Sequence, residues 1–108
     1  MHTSYFAKYK GIHGISIALK NPQWFNGESY PDLFPEKSFL FKYFKDHDKE
    51  SYAKSYYDQV LSKLNPEQVY NDLHDKVLLC YEKTGEFCHR YLVADWIFEN
   101  LQIKITEL

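Results

Sequence analysis

Five consecutive residues, Val77-Leu78-Leu79-Cys80-Tyr81, are apolar at every position, and a turn signal, Thr84-Gly85-Glu86, follows closely. A strand with one solvated face alternates apolar and polar residues. A strand apolar throughout must be covered on both faces, which is the pattern of a central strand in a parallel sheet. Behind it, Phe87 to Leu101 carries helical spacing, and Ile103-Lys104-Ile105 offers another strand. Strand, helix and strand in that order predict a right-handed crossover.

The rest of the chain is consistent with this frame. His2 to Ala7 and Ile12 to Leu19 read as strands, the second with Ile15, Ile17 and Leu19 on one face. Their connection is too short for a crossover helix, so if they are parallel another strand lies between them. Asn21 to Pro35 holds three of the four prolines and shows no period, so it reads as a loop. Ser38 to Phe44 suits a short helix. Asp48 can cap the next, whose stripe is Tyr52, Tyr56, Val60 and Leu64. Asn65-Pro66-Glu67-Gln68 is a helix start with an N-cap, a proline at the first helical position and glutamine at the capping-box position. The expectation is one α/β domain over residues 1–108. Its sheet is small, open and three-layered, with about four mostly parallel strands and helices on both faces.

Composition narrows the function classes. At 44% hydrophobic residues the chain can build a core, and a formal net charge of -2 leaves no footprint for nonspecific nucleic-acid binding. No apolar run reaches membrane-spanning length. The N-terminal Met-His-Thr-Ser-Tyr-Phe is unlike a signal peptide. Two cysteines do not make a secreted disulfide framework, so the reading is cytoplasmic, with Cys80 buried, reduced and not bonded to Cys88. Aromatic residues at 19% either fill the core with large side chains or form a stacking surface.

Ligands of open α/β sheets bind beyond the carboxyl ends of the strands. The loop after Tyr81 places Glu82, Lys83, Cys88, His89 and Arg90 around a helix start, where free N–H groups and the helix dipole favour an anion. At about 100° per residue, Arg90 falls on the same face as Tyr91, Ala94, Ile97, Phe98 and Leu101. A guanidinium there needs a partner, either Glu82 or a ligand carboxylate or phosphate. Cys88 and His89 are the candidate catalytic residues, as a thiolate favoured by its cationic surroundings and as an acid or base. The plainer alternatives are a buried filler and an exposed helix residue. Trp24 reads either as a stacking lid over the site or as a plug over the core. Lys20 adds a charge at a strand exit, and Ser4 and Tyr5 offer hydroxyls. Cys80, Cys88 and His89 lack the paired spacing of a structural zinc site, so no metal and no cofactor is expected.

Three segments carry a family resemblance: Leu79-Cys80-Tyr81-Glu82-Lys83, Phe87-Cys88-His89-Arg90 and Val93-Ala94-Asp95-Trp96. Together they resemble the C-terminal signature of the domain of unknown function 488 family. Thr3 to Lys8, Pro22 to Gly27, and Tyr30, Pro31 and Leu33 fit a short branch of it. The resemblance implies a three-layer α/β fold and no established activity. Longer members carry Asp-x-Arg at the second strand, where this chain has Ser16-Ile17-Ala18. That departure argues against any mechanism needing an acid there. Some relatives bear a methyltransferase name, but the glycine-rich loop such a name would require is absent.

Three functions follow as expectations. The first is a nucleotide- or nucleic-acid-related enzyme that binds a small anionic ligand or nucleotide at residues 80–90. The second is a noncatalytic ligand- or protein-binding regulatory module, and the third is a thiol-based redox sensor.

Overall fold

The computed structural model describes all 108 residues. The strands are β1 (His2–Tyr5), β2 (Gly14–Ser16), β3 (Glu28–Ser29), β4 (Val77–Cys80) and β5 (Thr106–Glu107). The helices are α1 (Lys37–Asp46), α2 (Lys49–Gln59), α3 (Pro66–Leu73) and α4 (His89–Leu101). Single 3-10 turns lie at Pro31–Leu33 and Leu61–Lys63. All strands are parallel, in the order β3-β2-β4-β1-β5.

The apolar strand is the central one. β4 pairs with β1 from His2↔Val77 to Tyr5↔Cys80, and with β2 from Gly14↔Val77 to Ser16↔Leu79. It is thus the strand that lies between β1 and β2. All four of its residues are buried, as a strand covered on both faces requires.

The sheet has five strands where about four were expected, and its helices lie on one face only, which corrects the expectation of helices on both. Chain order explains this. The steps from β1 to β2 and from β2 to β3 run toward one edge. The returns from β3 to β4 and from β4 to β5 run back. Right-handed connections put opposite steps on opposite faces, and only the returns contain helices. The helical face accordingly joins Ile15, Ile17 and Leu78 to Phe39, Tyr56, Val69 and Ile97 in one core. Each such side chain contributes roughly 1.5–3 kcal/mol on full burial.

Loop aromatics form the opposite layer. Phe6, Ala18, Val77 and Leu79 cluster there, with Tyr9 and Phe25 packed against them. Gly14 allows the close approach, since a Cβ at that position would meet Leu79 Cδ1 at 2.7 Å.

Local signals placed the helix starts. Asp48 accepts from the Ser51 N–H at 3.0 Å. Asn65 accepts from the N–H groups of Glu67 and Gln68 at 2.9 and 3.2 Å. The capping box is not reciprocal, because the Gln68 amide donates to Asp72 instead. The weakest signals were misplaced. The 21–35 loop holds β3 and a 3-10 turn. The last strand is Thr106–Glu107 rather than 103–105. α4 begins at His89, because Cys88 is its extended N-cap residue.

Candidate functional site

A cleft of about 650 Å³ opens beyond the carboxyl ends of β2 and β4, where an open parallel sheet places ligands. Ala18, Leu19 and Lys20 leave β2 along one side, and Tyr81 and Glu82 leave β4 along another. The third wall is α1, through Lys37, Leu40, Phe41, Tyr43 and Phe44, with Tyr52 of α2 behind it. Phe87 closes the wall, its ring edge-on to Tyr52 at 5.3 Å and tilted against Tyr43 at the same distance. Tyr81 ties the two strand exits together by donating its hydroxyl to the Lys20 carbonyl at 2.6 Å. Burial raises the Tyr52 hydroxyl pKa, and the charge of Glu82 and the neighbouring Tyr43 raise it further, so it stays protonated at neutral pH.

Cys80, Cys88 and His89 also line the cleft. Cys80 is buried as expected, but it is bonded to Cys88, and neither cysteine is free. This overturns the expectation of two reduced cysteines. The extended backbone of Cys88 turns its sulfur back toward the end of β4, where Cys80 lies.

His89 is buried rather than exposed. Its Nε2 lies 2.8 Å from the Ile17 carbonyl, and Nδ1 lies 3.8 Å from Cys88 Sγ. A carbonyl only accepts, so Nε2 carries the proton, and the Nδ1 lone pair faces a disulfide sulfur that has no hydrogen to donate. Burial pushes its pKa down to about 4, against the hydrogen bond to Ile17, which raises it; the nearby Arg90 charge lowers it further. A ring that is neutral and committed at Nε2 is not a proton carrier near pH 7.

Arg90 lies beneath the cleft and does not open into it. Its side chain is fully buried, on the inner face as the helical spacing requires. Its partner is Glu107 of β5 and not Glu82. Nε donates to Oε1 at 3.0 Å and Nη2 to Oε2 at 2.9 Å. Nη1 points at Cys80 Sγ at 3.2 Å, and the guanidinium lies 4.6 Å from the Tyr91 ring centre and 5.9 Å from that of Tyr5. Glu107 also accepts from Thr3 at 2.7 Å and from Thr84 at 2.6 Å. Burial alone would raise its carboxyl, but hydrogen bonds from Arg90, Thr84 and Thr3, with the Arg90 charge, outweigh that and hold its pKa at about 2.

Of the residues singled out in the sequence, Lys20, Glu82, Cys88 and His89 meet at the cleft. Tyr5 sits with Arg90 below it. Ser4 is fully buried with no hydrogen-bond partner. Trp24 lies outside the cleft, half-exposed in the loop layer, edge-on to Phe6 at 6.3 Å and 3.7 Å beneath Lys10 Nζ. The sequence reading missed Lys37, the aromatics of α1 and Glu107. Only the aromatics of α1 left a trace, as apolar residues at 39–41, 43 and 44 that exceed a single helical stripe.

Fold and cleft together define an α/β open-sheet domain with an aromatic-walled pocket at its strand ends. The chain belongs to the domain of unknown function 488 (DUF488) family: the family model described as the active DUF488-N3 subclade matches residues 11–101. No curated protein and no solved structure matches it. No helix is long and apolar enough to cross a membrane.

Proposed function

We propose that this domain binds a small molecule combining a flat aromatic ring with an anionic group, of which a nucleotide is the type, in the cleft at the ends of β2 and β4. The observation that carries this reading is the cleft itself. Its volume is within the range of small-molecule sites, and rings line it from α1, from the exit of β4 and from Phe87. Tyr43, Phe44, Tyr81 and Phe87 supply faces for stacking. Lys20 and Lys37 outnumber the one lining carboxylate, Glu82, and favour an anion at the rim. Arg90 has no direct part in holding the anion, because its side chain is buried outside the cleft lining and Glu107 already takes its Nε and Nη2 donors. It acts as a positioning residue, fixing the start of α4 under the cleft floor. The neutral, hydrogen-bonded His89 favours binding over acid–base catalysis at that residue.

The test compares adenosine 5′-monophosphate, adenosine and inorganic phosphate by the shift each causes in melting temperature. The proposal expects the nucleotide to stabilise more than adenosine, and phosphate alone to do little. Lys20→Ala with Lys37→Ala should bring the nucleotide down to the level of adenosine. No stabilisation by either adenine compound at millimolar concentration would overturn it.

A further inference from the structure

We infer that Cys80 and Cys88 form a reversible dithiol–disulfide couple served from the cleft, with Cys88 the sulfur attacked and Cys80 the leaving group. The inference rests on the cleft admitting small molecules, and not on which ligand it takes.

The surroundings of the two sulfurs differ in a way that sets the direction of attack. Cys80 ends the central strand, and Arg90 Nη1 lies 3.2 Å from its Sγ. Glu107 occupies Nε and Nη2, so Nη1 is the donor left to the sulfur. A thiolate released at Cys80 therefore receives a charge-assisted hydrogen bond from a group that never loses its proton. Cys88 faces a different neighbour. His89 holds its own proton on Nε2 against the Ile17 carbonyl, and its Nδ1 lone pair lies 3.8 Å from Cys88 Sγ. A reduced Cys88 thus has an acceptor for its S–H. A better-stabilised thiolate leaves faster, and Arg90 gives that advantage to Cys80.

The co-reactant is a small dithiol. One of its thiolates attacks Cys88 Sγ. A sulfur–sulfur bond forms to Cys88, the Cys80–Cys88 bond breaks, and its electron pair goes to Cys80 Sγ beside Arg90. The second thiolate of the dithiol then attacks its own sulfur in the mixed disulfide. This releases the oxidised cyclic disulfide and leaves Cys88 as a thiolate, which takes a proton from solvent and donates it in a hydrogen bond to His89 Nδ1. The protein gains two electrons and the dithiol loses two. Reduction also unclamps residues 81–87, so the wall carrying Tyr81, Glu82 and Phe87 loosens when the bond opens.

The experiment equilibrates native protein with oxidised and reduced dithiothreitol over a range of ratios, quenches by alkylation and counts free thiols by mass. The expected result is an all-or-none exchange of zero for two labels across the series. After brief reduction, label should enter Cys80 first, because it is freed first and Arg90 holds it as the thiolate. Below neutral pH the variant Cys88→Ser, which keeps Cys80, should release thionitrobenzoate from 5,5′-dithiobis(2-nitrobenzoate) faster than Cys80→Ser, because Arg90 favours the thiolate of Cys80 where Cys88 holds its proton against His89. Two free thiols at every ratio, or equal native-state labelling of both cysteines, would overturn the inference whether or not the variants fold. Exchange without nucleotide binding would strike the ligand reading alone, and binding without exchange would strike this one alone.

Discussion

Arg90 and Glu107 are joined by two parallel hydrogen bonds, Nε to Oε1 at 3.0 Å and Nη2 to Oε2 at 2.9 Å, with the guanidinium fully buried and the carboxylate mostly so. The pair fastens the first turn of α4 to the edge strand β5 and spans β1 between them, since Thr3 donates to the same carboxylate. Removing one member of a buried pair leaves the other uncompensated.

Glu107→Gln is therefore expected to cost about 3–5 kcal/mol at pH 7, measured by urea unfolding. The pH dependence has a definite sign. The folded carboxyl, at about 2, lies below its unfolded value of roughly 4.3, so its contribution is complete above that value and is lost as pH falls toward 2. The variant should lack that acid loss. An unchanged acid limb would show that Glu107 is not the group responsible.

His89 governs a different window. Its folded value of about 4 lies below the unfolded value of roughly 6.5, so the folded state resists protonation, and stability falls as pH drops from about 6.5 to 4. The expected fall is on the order of 3 kcal/mol. Urea unfolding at pH 7, 5.5 and 4.5 should show this slope in the wild type and a flatter one in His89→Gln. Nitrogen NMR should find the ring neutral at pH 5.5, with its proton on Nε2. A charged ring at that pH would contradict the burial argument.

Tyr56 is fully buried and donates to the Leu33 carbonyl at 2.6 Å, tying α2 to the turn before α1. Tyr56→Phe keeps the ring and removes the donor, leaving a buried carbonyl unpaired. The expected loss is about 1–3 kcal/mol by the same unfolding measurement. A neutral result would mean that the carbonyl finds another donor.

Ser4 reverses the sign. Its hydroxyl is buried in the sheet without a partner, and Ser4 is not among the residues that line the cleft. Ser4→Ala should leave ligand binding unchanged and stability unchanged or raised by up to about 1 kcal/mol. A destabilised variant would reveal a hydrogen bond to Ser4 that the structure does not contain.

What the sequence made legible was local. Val77 to Cys80 identified itself as the central strand because burial on both faces leaves no polar position. Asp48 and Asn65 marked helix starts because a cap acts within three residues. The inward position of Arg90 followed from helical spacing alone. Its partner did not follow, because Glu107 reaches it only through the pairing of a two-residue strand with β1, and nothing near residue 107 signals that pairing. The disulfide was hidden for a similar reason: the extended N-cap that turns Cys88 back toward Cys80 is set by tertiary packing. The cleft was half legible. Its strand-end side came from the rule for parallel sheets, but the wall supplied by α1 required knowing that every helix lies on one face.

The strand order has a kinetic consequence. β1 sits between β4 and β5, so its first residue pairs with Val77 on one side and Thr106 on the other. The opening strand thus has no sheet neighbour within the first 70 residues of the chain, while α1, α2 and α3 can form independently, the last two behind the caps of Asp48 and Asn65. Closure of such distant pairings before they return any stability is the slow part of folding parallel sheets. The helical hairpins should gain protection from hydrogen exchange first. The amides of His2, Phe6 and Ile17 should follow together when β4 docks, because they donate to the carbonyls of Lys76, Cys80 and Leu79.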